Sequence, residues 1–426
     1  MQFKYGLNEK PPVRETILYG IQWFAVTIPI IIIIGKITGG FHFSDIGDQM
    51  VYLQKLTFVM AVALMGQLFF GHRMPLIIGP STILLIGIIV SAGHDADAVY
   101  SAIFFGGLML AFFSATGWLG HLRRLFPPRV VAVVLILIAF TLAPTILKLT
   151  LDNSDHAGAL THFIFTLVLV MLMFVMQRFL TGIWKSTLIV WAMVMGSTAW
   201  FLMMPDNLRI EHIAYAKPFA GFFKNMTSRL VADPGIILSF LICFIALFIN
   251  DLGSIQAMNG LLKPDDATGR INRGIFITGL SNMASGVLGV IGPVNFSLSP
   301  GVIAATGCAA RFTMIPTTII LMLLSFSPAA LAFISNVPAI VIGSILIYVL
   351  SAQIAAGLTV AFEATEDFQF IDGIIIGLPL LLATVVAFQQ PSTLQDYPAI
   401  LRPVLGNGFV VGVITALILE HGIFKR

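Results

Sequence analysis

Apolar residues run along the chain in long stretches broken by short polar loops. Most stretches approach the roughly 20 residues that a helix needs to cross hydrocarbon. The pattern predicts spans near Thr16–Gly35, Val51–Gly71, Pro75–Ala92, Ala96–Gly120, Val130–Leu149, Leu160–Val175 and Thr187–Met204. After the polar segment Pro205 to Asp233, a second set runs near Gly235–Asn259, Ile275–Ile291, Pro300–Ala310, Thr313–Ile334, Val337–Leu358, Gly373–Phe388 and Gly408–Glu420. About fourteen crossings of about 20 residues leave only short connections. The predicted class is an all-α polytopic membrane protein in two halves of seven spans, with no sizeable soluble domain.

The third span of each half is broken in a similar way. The first reads Pro75-Leu76-Ile77-Ile78-Gly79-Pro80-Ser81-Thr82 and the second Gly292-Pro293-Val294-Asn295-Phe296-Ser297-Leu298-Ser299-Pro300-Gly301. Each holds a few extended-type residues, a Pro/Gly break and hydroxyls, then an apolar run. Non-helical backbone at membrane depth is tolerated only where protein buries it or it lines a cavity. Matching interruptions in two halves point to the central site of a transporter. Ser299 before Pro300 reads as a helix cap, so a half-helix starting there aims free N–H groups at the site. The plain alternative is a pair of kinked helices, since Gly and Pro are common in membrane spans.

Composition agrees: 58% of the 426 residues are apolar and 10% are charged, against about 25% charged in a soluble domain. That excludes a soluble globular protein, a disordered chain and a nucleic-acid binder. Cys243 and Cys308 both lie in apolar runs and form no disulfide framework. With the N-terminus in the cytoplasm and an even number of spans, fifteen of the 23 Lys and Arg residues fall inside, among them Lys4, Arg73, Arg123, Arg124, Arg270 and Arg273. The positive-inside rule then puts both termini in the cytoplasm of a multi-pass cell-membrane protein.

Acidic residues sit almost wholly in loops. Asp251, after the apolar run Ile236 to Ile249, is the exception. A charge at mid-bilayer costs at least a few kcal/mol and marks a functional site by default. Asn250 precedes it and Gly253 and Ser254 follow, so Asn250 and Ser254 share a helix face and Asp251 lies about 100° around. Asp251 reads as an ion-coupling acid, or else as a bond to a neighbouring span. Gln22 is a candidate for site lining, as is Ser81; Gln67 and Gln353 read as interhelical bridges, and His121 and His162 as interfacial. No metal-ligand spacing, nucleophile constellation or phosphate loop appears, so no enzyme and no cofactor is expected.

These residues resemble the nucleobase–ascorbate transporter family, the second type of nucleobase:cation symporters, which includes uracil, xanthine and uric acid permeases. The likeness covers nearly the whole chain: Tyr5 to Pro12 before the first span, Gly20-Ile21-Gln22-Trp23 like the family's Gln-His element, and Leu125-Phe126-Pro127-Pro128 between spans four and five. It continues in Gly279 to Gly286 in span nine and Pro403 to Gly412, with Asn407-Gly408, at the last span. The resemblance implies two inverted seven-span repeats forming a core domain (residues 1–124 and 233–335) and a gate domain (125–232 and 336–426). It also implies short strands in spans three and ten, a homodimer and an elevator movement of core against gate.

Several family positions are changed. The substrate-binding glutamate falls at Asn250, and the His or Asp after the glycine becomes Ser254. The span-ten Glu or Gln becomes Leu298 while its aromatic is kept as Phe296 beside Ser297. The span-three phenylalanine becomes Thr82. The expected substrate-binding set is therefore Asn250, Ser254, Thr82, Phe296, Ser297, Leu298 and Ser299, with Asp251 as coupling acid. The expected function is proton-coupled symport, with Na⁺ as the other ion, of a small planar purine, xanthine or uracil-like substrate. A small-anion transporter on the same architecture and a non-transporting ligand-binding membrane protein are the alternatives.

Overall fold

The structure is a computed structural model; it describes residues 3–91, 94–118, 126–151, 158–181, 184, 187–205, 217–296, 299–363, 368–389, 397–398 and 401–424. Ser297 and Leu298 lie outside the described residues, as do Leu125, His121, Arg123, Arg124 and the predicted span ends Ala92 and Gly120. The first half contains α1 Val13–His42, α2 Ile46–Phe69, β1 Ile78–Pro80, α3 Thr82–Val90, α4 Ala96–Thr116, α5 Pro128–Thr141, α6 Ala143–Leu151, α7 Ala159–Phe179 and α8 Leu188–Met203. The second half contains α9 Pro234–Leu262, α10 Ala267–Leu288, β2 Pro293–Asn295, α11 Ser299–Thr306, α12 Ile315–Ser325, α13 Pro328–Ser335, α14 Ala339–Glu363, α15 Phe370–Ala387 and α16 Gly408–Ile418. A 3₁₀ turn, Arg311–Met314, leads into α12.

Every one of the fourteen predicted spans falls on one of these helices or strand–helix units. Among the described residues, eight helical stretches are long and apolar enough to cross a membrane by themselves. Two spans differ from the expected straight helices. Val130–Leu149 is built from α5 and α6, interrupted at Leu142, with Pro144 in the first turn of α6. Thr313–Ile334 is α12 plus α13, which turn 103° to each other with Pro328 at the start of α13. Proline removes a donor and disfavours helical backbone in the residue before it, so both breaks fall where the chain carries one.

Local chemistry explains the ends. Asp45 and Asp233 cap α2 and α9 by accepting backbone N–H groups, and Pro234 occupies the first turn of α9, where no N–H is needed. Gly289 closes α10 at φ +65°, a left-handed conformation that suits glycine. Buried threonines such as Thr27, Thr38, Thr57 and Thr141 return their hydroxyls to the carbonyl four residues back. Each of these hydroxyls is thereby served in a layer where water cannot reach it.

The two halves pack in matching ways. α1 and α2 both meet β1, and α9 and α10 both meet β2; α4 lies along α10, and α2 lies along α12. The α4–α10 contact is a close one: a Cβ on Gly279 would stand 2.6 Å from the Ala111 nitrogen and 2.8 Å from the Gly107 oxygen. Small residues allow that approach. A second bundle joins α5, α7 and α8 with α14, α15 and α16. Within it the Arg129 guanidinium reaches the fully buried Asp372 carboxylate at 2.7 Å. Asp372 is thus a second buried acid, but it stands in the first turn of α15, not at mid-span.

Segment 217–233 is a strap across the ends of the first bundle. Lys224 pairs with Asp48 at 2.7 Å, Ser228 bonds Asp97, Thr227 bonds the Gly286 and Val287 carbonyls, and the ammonium of Lys55, buried within α2, donates to the Asn225 carbonyl. At the opposite face, the N-terminal residues pair with the link between α11 and α12, through Tyr5 beside Cys308 and Leu7 beside Arg311.

Candidate functional site

β1 and β2 cross antiparallel in the middle of the first bundle, with Ile78 opposite Asn295, Gly79 opposite Val294 and Pro80 opposite Pro293. All six residues are buried. Ser81 N–H donating to Gly292 and Phe296 N–H donating to Ile77, each at 2.9 Å, extend the pairing on both sides. The crossing satisfies backbone that would otherwise be exposed at membrane depth. Corresponding segments of two halves that run antiparallel are what a two-fold axis in the membrane plane generates, so the crossing lies on the repeat axis. α3 leaves the crossing at Thr82, capped by the Ser81 hydroxyl on Leu84 N–H at 3.3 Å. α11 leaves it at Ser299, whose hydroxyl accepts from Ile77 N–H at 2.8 Å. The Ser299 cap expected for the half-helix is therefore spent on the opposite broken segment.

Asp251 anchors this crossing to α9. It is fully buried, and one carboxylate oxygen accepts from the Asn295 N–H at 2.9 Å and from the Asn295 side-chain amide at 2.7 Å. The other accepts from the Thr278 hydroxyl of α10 at 2.9 Å. Three donors on one carboxylate make a strong, directional anchor. The Thr278 hydroxyl in turn accepts from Gln67 of α2 at 3.1 Å, and Gln67 also donates to the Gly274 carbonyl. Gln67 is thus an interhelical bridge.

The Asn295 amide is oriented from its other end. Its oxygen faces His72 Nε2 at 3.2 Å, while His72 Nδ1 accepts the Met74 N–H at 3.0 Å. With Nδ1 accepting, the ring proton belongs on Nε2, which donates to Asn295. Arg270 closes the series by donating to the His72 carbonyl at 2.8 Å. Asn295, His72 and Thr278 carry no role in the sequence reading. Asn295 stands inside the quoted broken segment, but its partners lie 17 to 223 residues away along the chain.

Ser254 sits with Asp251 rather than on the open side of α9. Its hydroxyl lies 3.0 Å from the Asn250 carbonyl and 2.9 Å from the Asn295 carbonyl, and the residue is 1% exposed. Asp251 and Ser254, three apart, form the face that grips β2. Asn250 is half-buried and Gly253 is exposed, with no atom within 4 Å of where its Cβ would stand. Thr82 and Phe296 are likewise half-buried at the two strand ends. Phe296 covers Gly79: a Cβ there would stand 2.5 Å from the phenyl ring. The structure thus separates the expected set in two. Asn250, Thr82 and Phe296 flank the crossing with accessible surface, whereas Asp251, Ser254, Ser81 and Ser299 hold it together.

On α1, Gln22 is 7% exposed, and its amide nitrogen has no partner among the described residues. Trp23 ties α1 to the turn before α12 through an indole N–H donated to Thr313 at 3.2 Å. Among the described residues no group of three or more His, Cys, Asp or Glu could hold a metal ion.

Three comparisons with known proteins bear on this geometry. A family model, Xan_ur_permease, described as the permease family, matches residues 14–393. The chain is 24% identical over 430 residues to the xanthine permease of Bacillus subtilis (strain 168), covering 97% of this chain and 95% of that one. It is 24% identical over 435 residues to the uric acid permease PucK of the same organism, covering 98% and 97%. It is 25% identical over 456 residues to the xanthine permease XanP of Escherichia coli (strain K12), covering 98% and 93%. Among solved structures, the transmembrane domain of the cyanobacterial bicarbonate transporter BicA superposes with a TM-score of 0.64 at 16% identity, covering 90% of this chain and 98% of that one. The murine anion transporter Slc26a9 in its inward-facing state gives 0.64 at 12% identity, covering 96% and 69%. These two share the fold: an all-α, multi-span transporter architecture with inverted repeats.

Proposed function

Since the chain belongs to the permease family, whose model spans residues 14–393, we propose that it is a secondary active transporter of a nucleobase-like substrate of the purine, xanthine or uracil class. It is a membrane transporter and not an enzyme. The observation that carries the substrate reading is the strand crossing itself: Asn250, next in the chain to the Asp251 that grips β2, and Phe296, at the end of β2, are both partly accessible. An amide offers one donor and one acceptor edge, matched to the alternating N–H and C=O groups of an oxopurine or pyrimidine. An aromatic ring stacks on a planar heterocycle. Thr82 supplies a hydroxyl at the opposite strand end. Relatives named for xanthine and uric acid support the same class.

The transport cycle in this reading is an elevator movement. The bundle built on the crossing moves against the bundle of α5, α7, α8, α14, α15 and α16, in a homodimer whose termini face the cytoplasm. The anchoring of β2 to α9 and α10, with β1 paired to β2 and packed on α1 and α2, supports movement as a unit. No cofactor is required. H⁺ is the coupling ion in this reading, with Asp251 as its acceptor and Na⁺ as the second candidate. Asp251 sits behind β2, so its protonation would act on the site through Asn295.

One observation favours the small-anion alternative. Asp251 is turned behind β2, so the carboxylate that would repel an anion is not presented beside Asn250, and the half-helix starts at Thr82 and Ser299 remain. One experiment separates the two: uptake of labelled xanthine, uric acid and uracil into cells lacking their own permeases, for the wild type and Asn250→Ala, with labelled bicarbonate in parallel. The expected result is uptake of at least one nucleobase, lost in the variant. Bicarbonate uptake with none for any nucleobase overturns the proposal.

A further inference from the structure

Three arginines from separate parts of the chain converge on the end of α2. The guanidinium of Arg270, in the first turn of α10, donates to the His72 and Arg73 carbonyls at 2.8 and 3.0 Å. Arg311, which opens the 3₁₀ turn before α12, donates to the Leu68 carbonyl at 3.1 Å. Arg73 folds back onto the Phe69 carbonyl at 3.0 Å. It does so from φ +55°, a left-handed backbone that glycine holds more easily. Arginine at a helix C-terminus is ordinary, because it serves open carbonyls and meets the negative end of the dipole. Here the charge exceeds that need: the dipole end is worth about half a charge, and the start of α10 adds a positive end of its own.

The nearby acids are committed elsewhere. Asp266 pairs with Arg273 at 2.9 Å and caps α10 through the Gly269 N–H, with Asp265 exposed beside it. Glu9 accepts the Gly6 N–H. Among the described residues no carboxylate pairs with Arg73, Arg270 or Arg311; backbone carbonyls hold all of them, and Arg311 also stands 4.9 Å from the Phe312 ring, with Lys10 at 5.5 Å. The Nε–H groups of Arg270, Arg273 and Arg311 are buried with no acceptor among the described residues. Burial, then the Arg273 and Arg311 charges beside it, hold the Arg270 pKa below its ordinary value. The patch is short of negative charge.

An apolar stripe reaches the same place. Val62, Met65 and Phe69 are 43%, 37% and 41% exposed on α2, and Phe70 beyond them is 68% exposed. Their spacing of three and four puts the first three on one face. On a spanning helix an uncovered apolar face of this kind meets lipid tails. The Arg311 N–H donates to the Leu7 carbonyl, so the arginines lie on the face of the N-terminal residues, which is cytoplasmic in the topology proposed above. Forked guanidinium donors suit phosphate oxygens, and basic clusters beside spans attract anionic headgroups. We propose that Arg73, Arg270 and Arg311 form a site for the phosphate of an anionic phospholipid whose tails lie along Val62 to Phe70. The stripe favours a lipid over a soluble phosphate, which has no tail to place there. Bound there, the headgroup clamps the end of α2 to the start of α10 and to the turn before α12. Arg270 also holds the backbone of His72, which orients Asn295, so the lipid site borders the supports of the crossing. The inference stands apart from the substrate reading.

The test follows the thermal midpoint of the purified full chain in detergent as dioleoylphosphatidylglycerol, dioleoylphosphatidylcholine or inorganic phosphate is added. Wild type is compared with Arg73→Gln, Arg73→Lys and Arg178→Gln, the last changing an arginine at the end of α7 in the other bundle. The expected result is a midpoint that rises with phosphatidylglycerol and with neither of the others. One arginine lost beside an anionic headgroup corresponds to about a fivefold change in affinity. The lipid concentration at half the rise should therefore increase about fivefold in Arg73→Gln, stay within about twofold in Arg73→Lys, and not move in Arg178→Gln. Raising NaCl to about 1 M, where charges are screened beyond about 3 Å, should increase it at least about fivefold in the wild type, a readout that needs no variant. An equal rise with phosphatidylcholine, an equal rise with inorganic phosphate, no effect of salt, or equal shifts in Arg73→Gln and Arg178→Gln overturns the proposal.

Discussion

Replacing Asp251 by alanine removes the acceptor of three hydrogen bonds at once. The Asn295 N–H, the Asn295 amide and the Thr278 hydroxyl would all lose their partner inside a fully buried site. The hydroxyl can rotate towards a carbonyl, but the two Asn295 donors are fixed by the β2 backbone and by His72. Each buried donor left unpaired costs about 1–3 kcal/mol, so two cost about 2–6 kcal/mol. Asparagine at the same position keeps an oxygen for both Asn295 donors and loses only the Thr278 bond, at about 1 kcal/mol. Thermal unfolding of detergent-purified protein should therefore give a midpoint for Asp251→Ala reduced at least twice as much as that for Asp251→Asn. Equal midpoints for the two variants would refute the anchoring geometry. The asparagine variant also isolates the coupling role, because its fold survives. If Asp251 carries the proton, Asp251→Asn loses uncoupler-sensitive accumulation but retains exchange of labelled for unlabelled substrate. Accumulation equal to wild type would remove Asp251 from the coupling step and leave it as a structural anchor alone.

Gly279→Ala should destabilise the first bundle by about 1–3 kcal/mol or more, because its Cβ meets the backbone of α4 and not a movable side chain; a drop in midpoint with unchanged secondary structure checks it. Arg129→Gln leaves the Asp372 carboxylate buried without its main partner and should cost about 3–5 kcal/mol, with the Asp372→Asn/Arg129→Gln pair recovering part of that loss in a double-mutant cycle. His72→Ala should lower stability and raise the substrate KM together, because the Asn295 amide loses the donor that orients it; a KM equal to wild type would detach His72 from the site.

The span pattern was fully legible because hydrophobic length is a local property, and the two broken segments announced the strand crossing for the same reason. What the crossing requires was not legible. Asn295 acquires its role only when α9, α10 and the stretch after α2 converge on β2, and no periodicity within the segment encodes those partners. Ser254 illustrates the limit within a single helix. Spacing placed it with Asn250, yet three-residue neighbours share a face nearly as well as four-residue ones, and the position of β2 decided for Asp251. The bend between α12 and α13 could be read from Pro328, but not its 103° angle, which depends on what the second helix packs against. Lys55 falls inside the predicted span Val51–Gly71, near its start, and nothing local gives it a partner; the carbonyl it donates to belongs to the strap that folds over it.

That strap carries a consequence for how the chain is held together. Residues 217–233 belong by sequence to the passage between the two halves, yet they clasp Asp48, Lys55 and Asp97 of the first half and Gly286 and Val287 of the second. The clasp travels with the second half. Two polypeptides divided just ahead of residue 217 would still be joined by it, in addition to the strand crossing and the α4–α10 contact. Covalent continuity at this place is redundant, and co-expressed fragments split there should assemble into one particle.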